Sequence, residues 1–337
     1  YMEEAVQQIF NWCRTQDVKG MTLDIIRLEG RTPLIFMEIP AQGVADTDDT
    51  ILMYGHLDKQ PEMTGWADDL GPWKPVIKDG KLYGRGGADD GYAAYSSLAA
   101  IMALQKQDLP HARIVVIIEA CEESGSYDLP FYIDHLREQI GTPSLVICLD
   151  SGAGNYEQLW LTVSLRGMAA GTLRADVLNE GVHSGYASGV VPSSFRVLRQ
   201  TVSRLEDENS GHVLPDYLQA DIPEQRRQQS QRMADALGDE IWNVYPFCDG
   251  VEPQADNNLD RLLNRTWRPA LSVTGVDGIP PLDQAGNVLR PHTALQLSMR
   301  LPPTVDGEEA TRRMNCLLYT SDAADDQWRG WGSGGGG

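Results

Sequence analysis

Residues 50–58 read TILMYGHLD, a short apolar run that ends in a histidine and an aspartate. An apolar run of this length without polar alternation is typical of a strand buried on both faces of a sheet. Similar runs follow at residues 112–118 (ARIVVII) and 144–149 (SLVICL). Helical patterns lie between them. Apolar strands that alternate with helices predict an α/β fold with a mostly parallel sheet and helices on both faces.

Periodicity and turn chemistry predict the elements around these strands. We expect helices at residues 3–15, 90–105 and 129–139, and strands at 22–28 and 34–39. Asp79-Gly80, inside residues 76–83, predicts a tight hairpin because both turn positions favour positive φ. Asp89 is expected to act as the N-cap of the helix that begins at Asp90.

From about residue 159 the pattern changes to that of a smaller α+β unit. We expect strands at residues 159–165, 171–177 and 293–301, and helices at 192–206 and 307–313. The polar stretch 207–264 is expected to form a surface excursion. The sequence therefore predicts two domains, at residues 1–158 and 159–315.

Residues 316–337 read CLLYTSDAADDQWRGWGSGGGG, which has no helical or strand period and ends in a glycine run. The string CLLYTSDAADD is similar to the conceptual translation of a sequencing-library adapter. We therefore expect the natural sequence to stop near Asn315, and residues 316–337 to be a non-natural tail.

Composition excludes several classes of partner. The 337 residues carry a formal net charge of −20, which disfavours binding to nucleic-acid phosphates and to anionic membranes. No apolar run approaches the roughly 20 residues that span a bilayer, and the opening Tyr1-Met2-Glu3-Glu4 has no signal-peptide pattern.

The five cysteines are scattered and form no CxxC pair. A reducing compartment, and hence a cytoplasmic localisation, is expected.

Acidic and imidazole side chains follow each predicted buried strand or begin the helix at residue 90. In open α/β sheets, binding sites form beyond the carboxyl ends of the strands, so these side chains are expected to converge. Carboxylates that close together repel unless a cation neutralises them. One histidine with several carboxylates and no thiolate suits zinc or manganese. The set is His56, Asp58, Asp89, Glu122, Glu123 and Asp150.

Taken singly, each of these residues has an ordinary structural explanation. A histidine after a strand is usually packed or exposed without a ligand, a Glu-Glu pair is usually surface, and an aspartate at a helix start or a strand end is usually a cap or a turn residue. The joint pattern at one end of the sheet favours a metal site. Asp58, two residues after His56, can fix the tautomer of that histidine.

Four motifs carry a resemblance to a known family: YGHLDKQP (54–61), DGKLYGRGGADDG (79–91), EACEESGS (119–126) and CLDSG (148–152). Over residues 5–315 the chain resembles the metallopeptidase-20 family, which includes carnosine-type dipeptidases, glutamate carboxypeptidases, aminoacylases and a desuccinylase. The resemblance implies a di-zinc catalytic domain at residues 1–158 and an inserted lid domain, incomplete here, at 159–315. It also implies a homodimer formed through the lid.

The resemblance implies a role for each matching residue. His56, Asp89 and Asp150 would bind one zinc, and Asp89 would bridge it to a second zinc bound by Glu123. Asp58 would orient His56, and Glu122 would be the general base. His183, in LNEGVHSGYASG, would reach the partner subunit's active site and polarise the scissile carbonyl. Arg300, in LQLSMRLPP, would bind the substrate carboxylate, or else be a surface arginine on an edge strand.

Two departures from the family pattern bear on these expectations. Gly91 stands where the family usually has a lysine after the Asp-Asp pair. The family's last zinc ligand, a histidine near the C-terminus, has no counterpart, because the likeness stops at about Arg313. We therefore expect one complete zinc site, with manganese or cobalt as possible substitutes, and weak hydrolysis by this chain.

The function expected from these residues is zinc-dependent hydrolysis of peptide or N-acyl amide bonds in small substrates. A dipeptidase or carboxypeptidase-like exopeptidase is favoured, because YGHLDKQP and DGKLYGRGGADD look more like the dipeptidase branch. An N-acyl-amino-acid deacylase remains an alternative. A non-catalytic relative that binds peptides or amino acids is an alternative of another class, which Glu122 disfavours because a general base serves catalysis rather than binding.

Overall fold

The computed structural model describes residues 1–43, 49–319 and 329–330. The described chain forms two compact units, Tyr1–Ala153 and the part from Gly154 onward. The catalytic and lid roles expected of residues 1–158 and 159–315 stay predictions. The elements of the first unit are α1 (Met2–Arg14), β1 (Thr22–Ile26), β2 (Leu34–Ile39), β3 (Thr50–His56), β4 (Val76–Lys78), β5 (Lys81–Tyr83), α2 (Ala93–Lys106), β6 (Arg113–Glu119), α3 (Leu129–His135), α4 (Arg137–Ile140) and β7 (Leu145–Cys148).

The first unit is built on a five-stranded sheet in the order β1-β2-β6-β3-β7. Strand β3 pairs in parallel with β6 on one side and β7 on the other, whereas β2 runs antiparallel to both β1 and β6. All strands except β2 therefore point the same way, which confirms the mostly parallel sheet. His56 lies opposite Glu119 in the β3–β6 register, so the carboxyl ends of these strands meet at one edge.

Helices cover both faces of this sheet, as the alternating pattern predicted. On one face, α1 and α2 pack against alternate strand residues such as Met37 and Val116, both fully buried. On the other face, α3 and α4 pack against the intervening residues, such as Phe36 and Val115. The hairpin formed by β4 and β5 is also confirmed, since Asp79 and Gly80 have φ of 51° and 74°.

Asp128 joins the start of α3 to the turn between β1 and β2. Its carboxylate accepts hydrogen bonds from the Thr32 N–H (2.8 Å), the Thr32 hydroxyl (2.9 Å) and Arg31 Nη1 (2.9 Å). Burial opposes the charged form of Asp128, but the Thr32 and Arg31 donors outweigh it and lower the pKa of the carboxyl. The carboxylate is therefore more stable in the folded chain than in the unfolded chain.

We expect Asp128→Asn to lower the free energy of unfolding at pH 7 by about 1–2 kcal/mol, because an amide satisfies these donors less well. The pKa of this carboxyl is lower in the folded chain than in the unfolded chain, so the carboxyl stabilises the fold fully at a pH above its unfolded-state pKa. This stabilisation is lost as the pH falls through its folded-state pKa. The difference from wild type should therefore shrink below about pH 4. Urea denaturation between pH 7 and pH 3 measures it. Asp134→Asn, an exposed position in the same helix, should show no such difference.

The start of α2 differs from the prediction. The helix begins at Ala93 rather than at Asp90, and Asp89 does not cap it. Instead the Asp90 carboxylate accepts a hydrogen bond from the Ala93 N–H (3.2 Å), while the Asp89 side chain is 62% exposed. The physical reason is that the Asp90 carboxylate also accepts from the His56 N–H at the end of β3, which holds residue 90 outside the helix.

The elements of the second unit are β8 (Gly167–Asp176), β9 (Val182–His183), α5 (Ser184–Ala187), α6 (Ser194–Val202), α7 (Glu224–Leu237), α8 (Glu240–Asn243), α9 (Asn258–Thr266), β10 (Ala270–Asp277), β11 (Val288–Leu289), β12 (His292–Leu301), α10 (Gly307–Tyr319) and β13 (Arg329–Gly330). They form an antiparallel sheet in the order β10-β12-β8-β13 and a two-stranded β9–β11 sheet. Helices α6 and α10 pack against the larger sheet around Leu173, Leu198 and Leu297. This architecture is the α+β pattern expected for the second half.

Two expectations for this unit are wrong. Residues 159–165 alternate as a strand does, yet they form no β-ladder within the described residues, and Leu159 and Leu161 are exposed. The stretch 207–264 is not a mere excursion, because α7, α8 and most of α9 lie in it and pack around Leu237, Ile241 and Leu262. A few well-spaced apolar residues hold these polar helices together.

The end of the second unit also differs from expectation. Helix α10 continues past Asn315 to Tyr319, and Ala310, Met314 and Leu318 form one buried stripe at helical spacing. The rest of the predicted tail, apart from the backbone of residues 329–330, lies outside the described residues. All five cysteines are free. Among the helices of the described chain, none has the length and apolarity that crossing a membrane requires.

Candidate metal centre

His56 lies at the centre of the site, at the carboxyl end of β3, and is 2% exposed. Its Nε2 atom lies 3.3 Å from Asp89 Oδ1, 3.6 Å from Asp150 Oδ2 and 3.9 Å from Glu122 Oε2. Nε2 is buried and makes no hydrogen bond with any described residue. A buried ring nitrogen that faces several carboxylate oxygens without a hydrogen bond has the environment of a metal ligand.

The structure brings together three of the residues expected to bind one metal. One ligand atom from each of His56, Asp89 and Asp150 lies within 4.8 Å of the others. Such an arrangement can close around a single ion, because zinc bonds to nitrogen and oxygen are about 2.0–2.2 Å long. Asp150 follows β7, and Asp89 lies in the loop before α2, so different elements supply the three candidate ligands.

Asp58 links two loops of the site and is 8% exposed. Its Oδ1 accepts from the Glu122 N–H (3.1 Å), its Oδ2 accepts from the Glu123 N–H (2.9 Å), and Oδ1 lies 3.4 Å from His56 Nδ1. Burial opposes the charge on Asp58, but hydrogen bonds from His56 and from the Glu123 N–H outweigh it and lower the pKa of this carboxyl. Burial also opposes the charge on His56, yet Asp58, with Asp150 and Asp90 nearby, raises its pKa to about 9.

Glu122 and Glu123 lie in a short 3₁₀ turn after β6 and point to different neighbours. Glu122 faces the ring of His56, whereas the carboxylate of Glu123 accepts hydrogen bonds from the backbone N–H and the side-chain amide of Gln60. Burial raises the pKa of Glu122, with the carboxylates of Asp150 and Glu123 adding to the shift and His56 opposing it. A glutamate with a raised pKa is suited to accept a proton near neutral pH.

Sequence reasoning missed two buried carboxylates that hold this site. Asp90 is fully buried, and Glu119 is 2% exposed. Glu119 Oε1 accepts from the hydroxyls of Tyr54 (2.6 Å) and Ser126 (2.9 Å), which fixes the strand end before Glu122. The position of Glu119 in the sequence could have revealed it. Glu119 ends an apolar strand, and a charged side chain that is buried there must be paired.

The remaining candidates, His183 and Arg300, belong to the second unit. His183 is exposed at the end of β9, its Nδ1 accepts from the Gly185 N–H (3.1 Å), and its ring lies 5.5 Å from that of Tyr186. Arg300 is exposed on β12, opposite Met168 of β8 and Ala270 of β10. It is therefore on an inner strand rather than an edge strand. Their roles toward the metal centre stay predictions.

Comparison with protein families gives a match over most of the chain. Residues 52–311 match the model described as "Peptidase family M20/M25/M40". The chain belongs to peptidase family M20. This family membership confirms the resemblance carried by the four motifs.

Curated relatives of this family M20 chain include dipeptidases. It is 30% identical over 271 residues to the Beta-Ala-His dipeptidase of Mus musculus, covering 76% of this chain and 52% of the relative. It is 27% identical over 272 residues to the Cys-Gly metallodipeptidase DUG1 of Saccharomyces cerevisiae, covering 78% and 55%. The chain thus spans about half the length of the curated relatives it matches.

Solved structures confirm the M20 fold. A family M20 metallo-carboxypeptidase from Sulfolobus solfataricus superposes with a TM-score of 0.73 at 18% identity, covering 97% of this chain and 72% of that one. Human carnosine dipeptidase 1 superposes with a TM-score of 0.62 at 22% identity, covering 98% and 77%. At these identities the likeness establishes the fold alone.

Proposed function

We propose that this chain carries the catalytic centre of a zinc-dependent hydrolase of peptide or N-acyl amide bonds in small substrates, acting as a dipeptidase or a carboxypeptidase-like exopeptidase. The observation that carries the proposal is the convergence of His56, Asp89 and Asp150 ligand atoms within 4.8 Å, with Glu122 beside them. Membership of family M20 supports a metal-dependent peptidase. The dipeptidases among its relatives support small peptides as substrates.

The donor set fits a divalent metal ion. The buried Nε2 of His56, which has no hydrogen-bond partner among the described residues, supplies a nitrogen ligand, and Asp89 and Asp150 supply anionic oxygens. Imidazole and carboxylate ligands suit zinc, and manganese or cobalt can take the same ligands. His56 Nδ1 donates to the main-chain carbonyl of Asp58 (3.2 Å) and lies 3.4 Å from its carboxylate, which leaves Nε2 free to bind the ion, as in many metal sites.

In the proposed reaction a bound divalent ion would lower the pKa of water and polarise the scissile carbonyl. Glu122 accepts a proton from the attacking water and passes it to the leaving amine. Its raised pKa favours the first of these steps, because a carboxylate with a higher pKa is a stronger base toward the attacking water. Asp58 contacts both His56 and the turn that carries Glu122, and these contacts hold the two residues in fixed positions relative to each other.

The other predicted roles are part of the same proposal. Asp89 and Glu123 would bind a second zinc ion. His183 would act at the active site of the partner subunit in a homodimer formed through the second unit. Arg300 would bind the substrate carboxylate.

Metal binding provides the first test. Zinc or Co²⁺ should raise the melting temperature of the chain and EDTA should reverse the rise, because a ligand at 100 times its Kd adds about 2.7 kcal/mol to the stability of the folded state. The rise should be lost in His56→Ala and kept in His135→Ala, an exposed histidine of α3. If the melting temperature of the wild-type chain changes with neither zinc nor Co²⁺, the proposal is contradicted.

Substrate choice provides the second test. The metal-loaded chain should hydrolyse dipeptides in preference to matched N-acyl amino acids, with release of the free amino acid measured for both panels. Faster hydrolysis of the N-acyl panel would favour the deacylase alternative. Binding of peptides without any turnover, in a chain that holds metal, would favour the non-catalytic relative.

A further inference from the structure

Lys59 introduces a cation among the carboxylates of the metal centre. It follows Asp58 directly, its side chain is partly buried, and its Nζ donates a hydrogen bond to the carbonyl oxygen of Asp90. Burial lowers the pKa of Lys59, and the carboxylates of Asp90, Asp58, Asp89 and Glu123 oppose that shift. None of the roles assigned so far uses this residue.

The loop of residues 84–91 is shaped to admit the Lys59 side chain. Gly86 has a φ of 72°, and a Cβ added there would lie 2.1 Å from Lys59 Cε and 2.2 Å from Cδ. The lysine stem therefore crosses directly over Gly86, and a Cβ at this position would have to displace it. A Cβ at Gly91 would lie 1.9 Å from the Gly86 carbonyl oxygen. Position 91, where Gly91 departs from the family's usual lysine, is thus closed to side chains in this loop conformation.

The contact with Asp90 bears on two metal ligands. The Asp90 carboxylate accepts hydrogen bonds from the backbone N–H groups of His56 (3.0 Å) and Ala93 (3.2 Å). Its carbonyl is the group that Lys59 holds. Asp89, the preceding residue, has a largely exposed side chain, so its position depends on the backbone that Lys59 and Asp90 fix.

We propose that Lys59 is a positioning residue of the metal centre, which holds the Asp90 carbonyl and thereby keeps Asp89 placed to bind the ion. The inference rests on the proposed metal-dependent function. The change in metal affinity that it predicts for removal of Lys59 is opposite in sign to the change expected from charge alone. Removing a positive charge near a cation site would by itself strengthen metal binding, whereas loss of a positioning contact weakens it.

The test compares Lys59→Met, Gly86→Ala and the control Lys106→Met, which removes the same charge from an exposed position at the end of α2. Affinity for Co²⁺ and its visible absorption spectrum are measured, together with hydrogen exchange of residues 84–92 in the metal-free chain. We expect Lys59→Met to weaken Co²⁺ binding by about 10–100-fold, the range for groups that support a metal ligand. Its spectrum should change, and residues 84–92 should exchange faster.

Gly86→Ala keeps the charge but displaces the lysine and strains the backbone at a φ of 72°, so it should weaken Co²⁺ binding as well. Equal or tighter Co²⁺ binding by Lys59→Met, with unchanged exchange at residues 84–92, would overturn the proposal. If the wild-type chain binds no Co²⁺, the metal-dependent function fails, and the exchange measurement alone decides whether Lys59 holds the loop.

Discussion

Asp90→Ala should lower the free energy of unfolding by about 2–4 kcal/mol, whereas Asp89→Ala should change it by less than about 0.5 kcal/mol. The reason is that Asp90 is fully buried and its carboxylate satisfies the N–H groups of His56 and Ala93. The substitution leaves both donors buried without an acceptor. Asp89 has a side chain that is 62% exposed, so its loss leaves no buried group unsatisfied.

The same pair of variants should show the reverse order in metal binding by the folded chain. Asp89→Ala removes a proposed ligand and should weaken Co²⁺ binding by more than about 100-fold, a larger loss than that of a supporting group. Urea denaturation without metal and Co²⁺ titration at low temperature separate the two effects. Equal destabilisation by both substitutions, or tight Co²⁺ binding by Asp89→Ala, would mean that the roles of these two aspartates are wrongly divided.

The candidate site was largely predictable from the sequence because strand order and direction fix where strand ends meet. Parallel pairing of β3 with β6 and β7 brings the residues after each strand to one edge, so His56, Glu122 and Asp150 could be grouped from local patterns alone. The two-residue spacing from His56 to Asp58 likewise gives a contact that needs no long-range information, and the structure places these side chains 3.4 Å apart.

The parts that could not be predicted depend on long-range contacts. Two adjacent aspartates look alike in sequence, and what assigns the buried role to Asp90 is its bond to His56, 34 residues away. Alternation at residues 159–165 resembles a strand, but a strand exists only where another strand pairs with it. Helices α7, α8 and α9 share so few apolar residues that composition hides them, and packing between the helices supplies the stability.

Glu122→Gln should lower the rate of dipeptide hydrolysis by about 10²–10⁴-fold, the usual contribution of a general base. Glutamine has nearly the same shape and keeps the turn after β6 intact, since the backbone N–H of residue 122 still donates to Asp58. It cannot accept the proton of the attacking water at neutral pH. The rate is measured as amino-acid release by the metal-loaded chain at saturating substrate.

The variant should keep its affinity for Co²⁺, because the proposed ligands of the complete site are His56, Asp89 and Asp150. This retention separates a proton-transfer role from a ligand role, since a lost ligand would lower metal affinity and rate together. Glu138→Gln, at an exposed position of α4, serves as the matched control and should hydrolyse like wild type. A Glu122→Gln chain that loses Co²⁺, or that retains more than about a tenth of the wild-type rate, is incompatible with Glu122 as the general base.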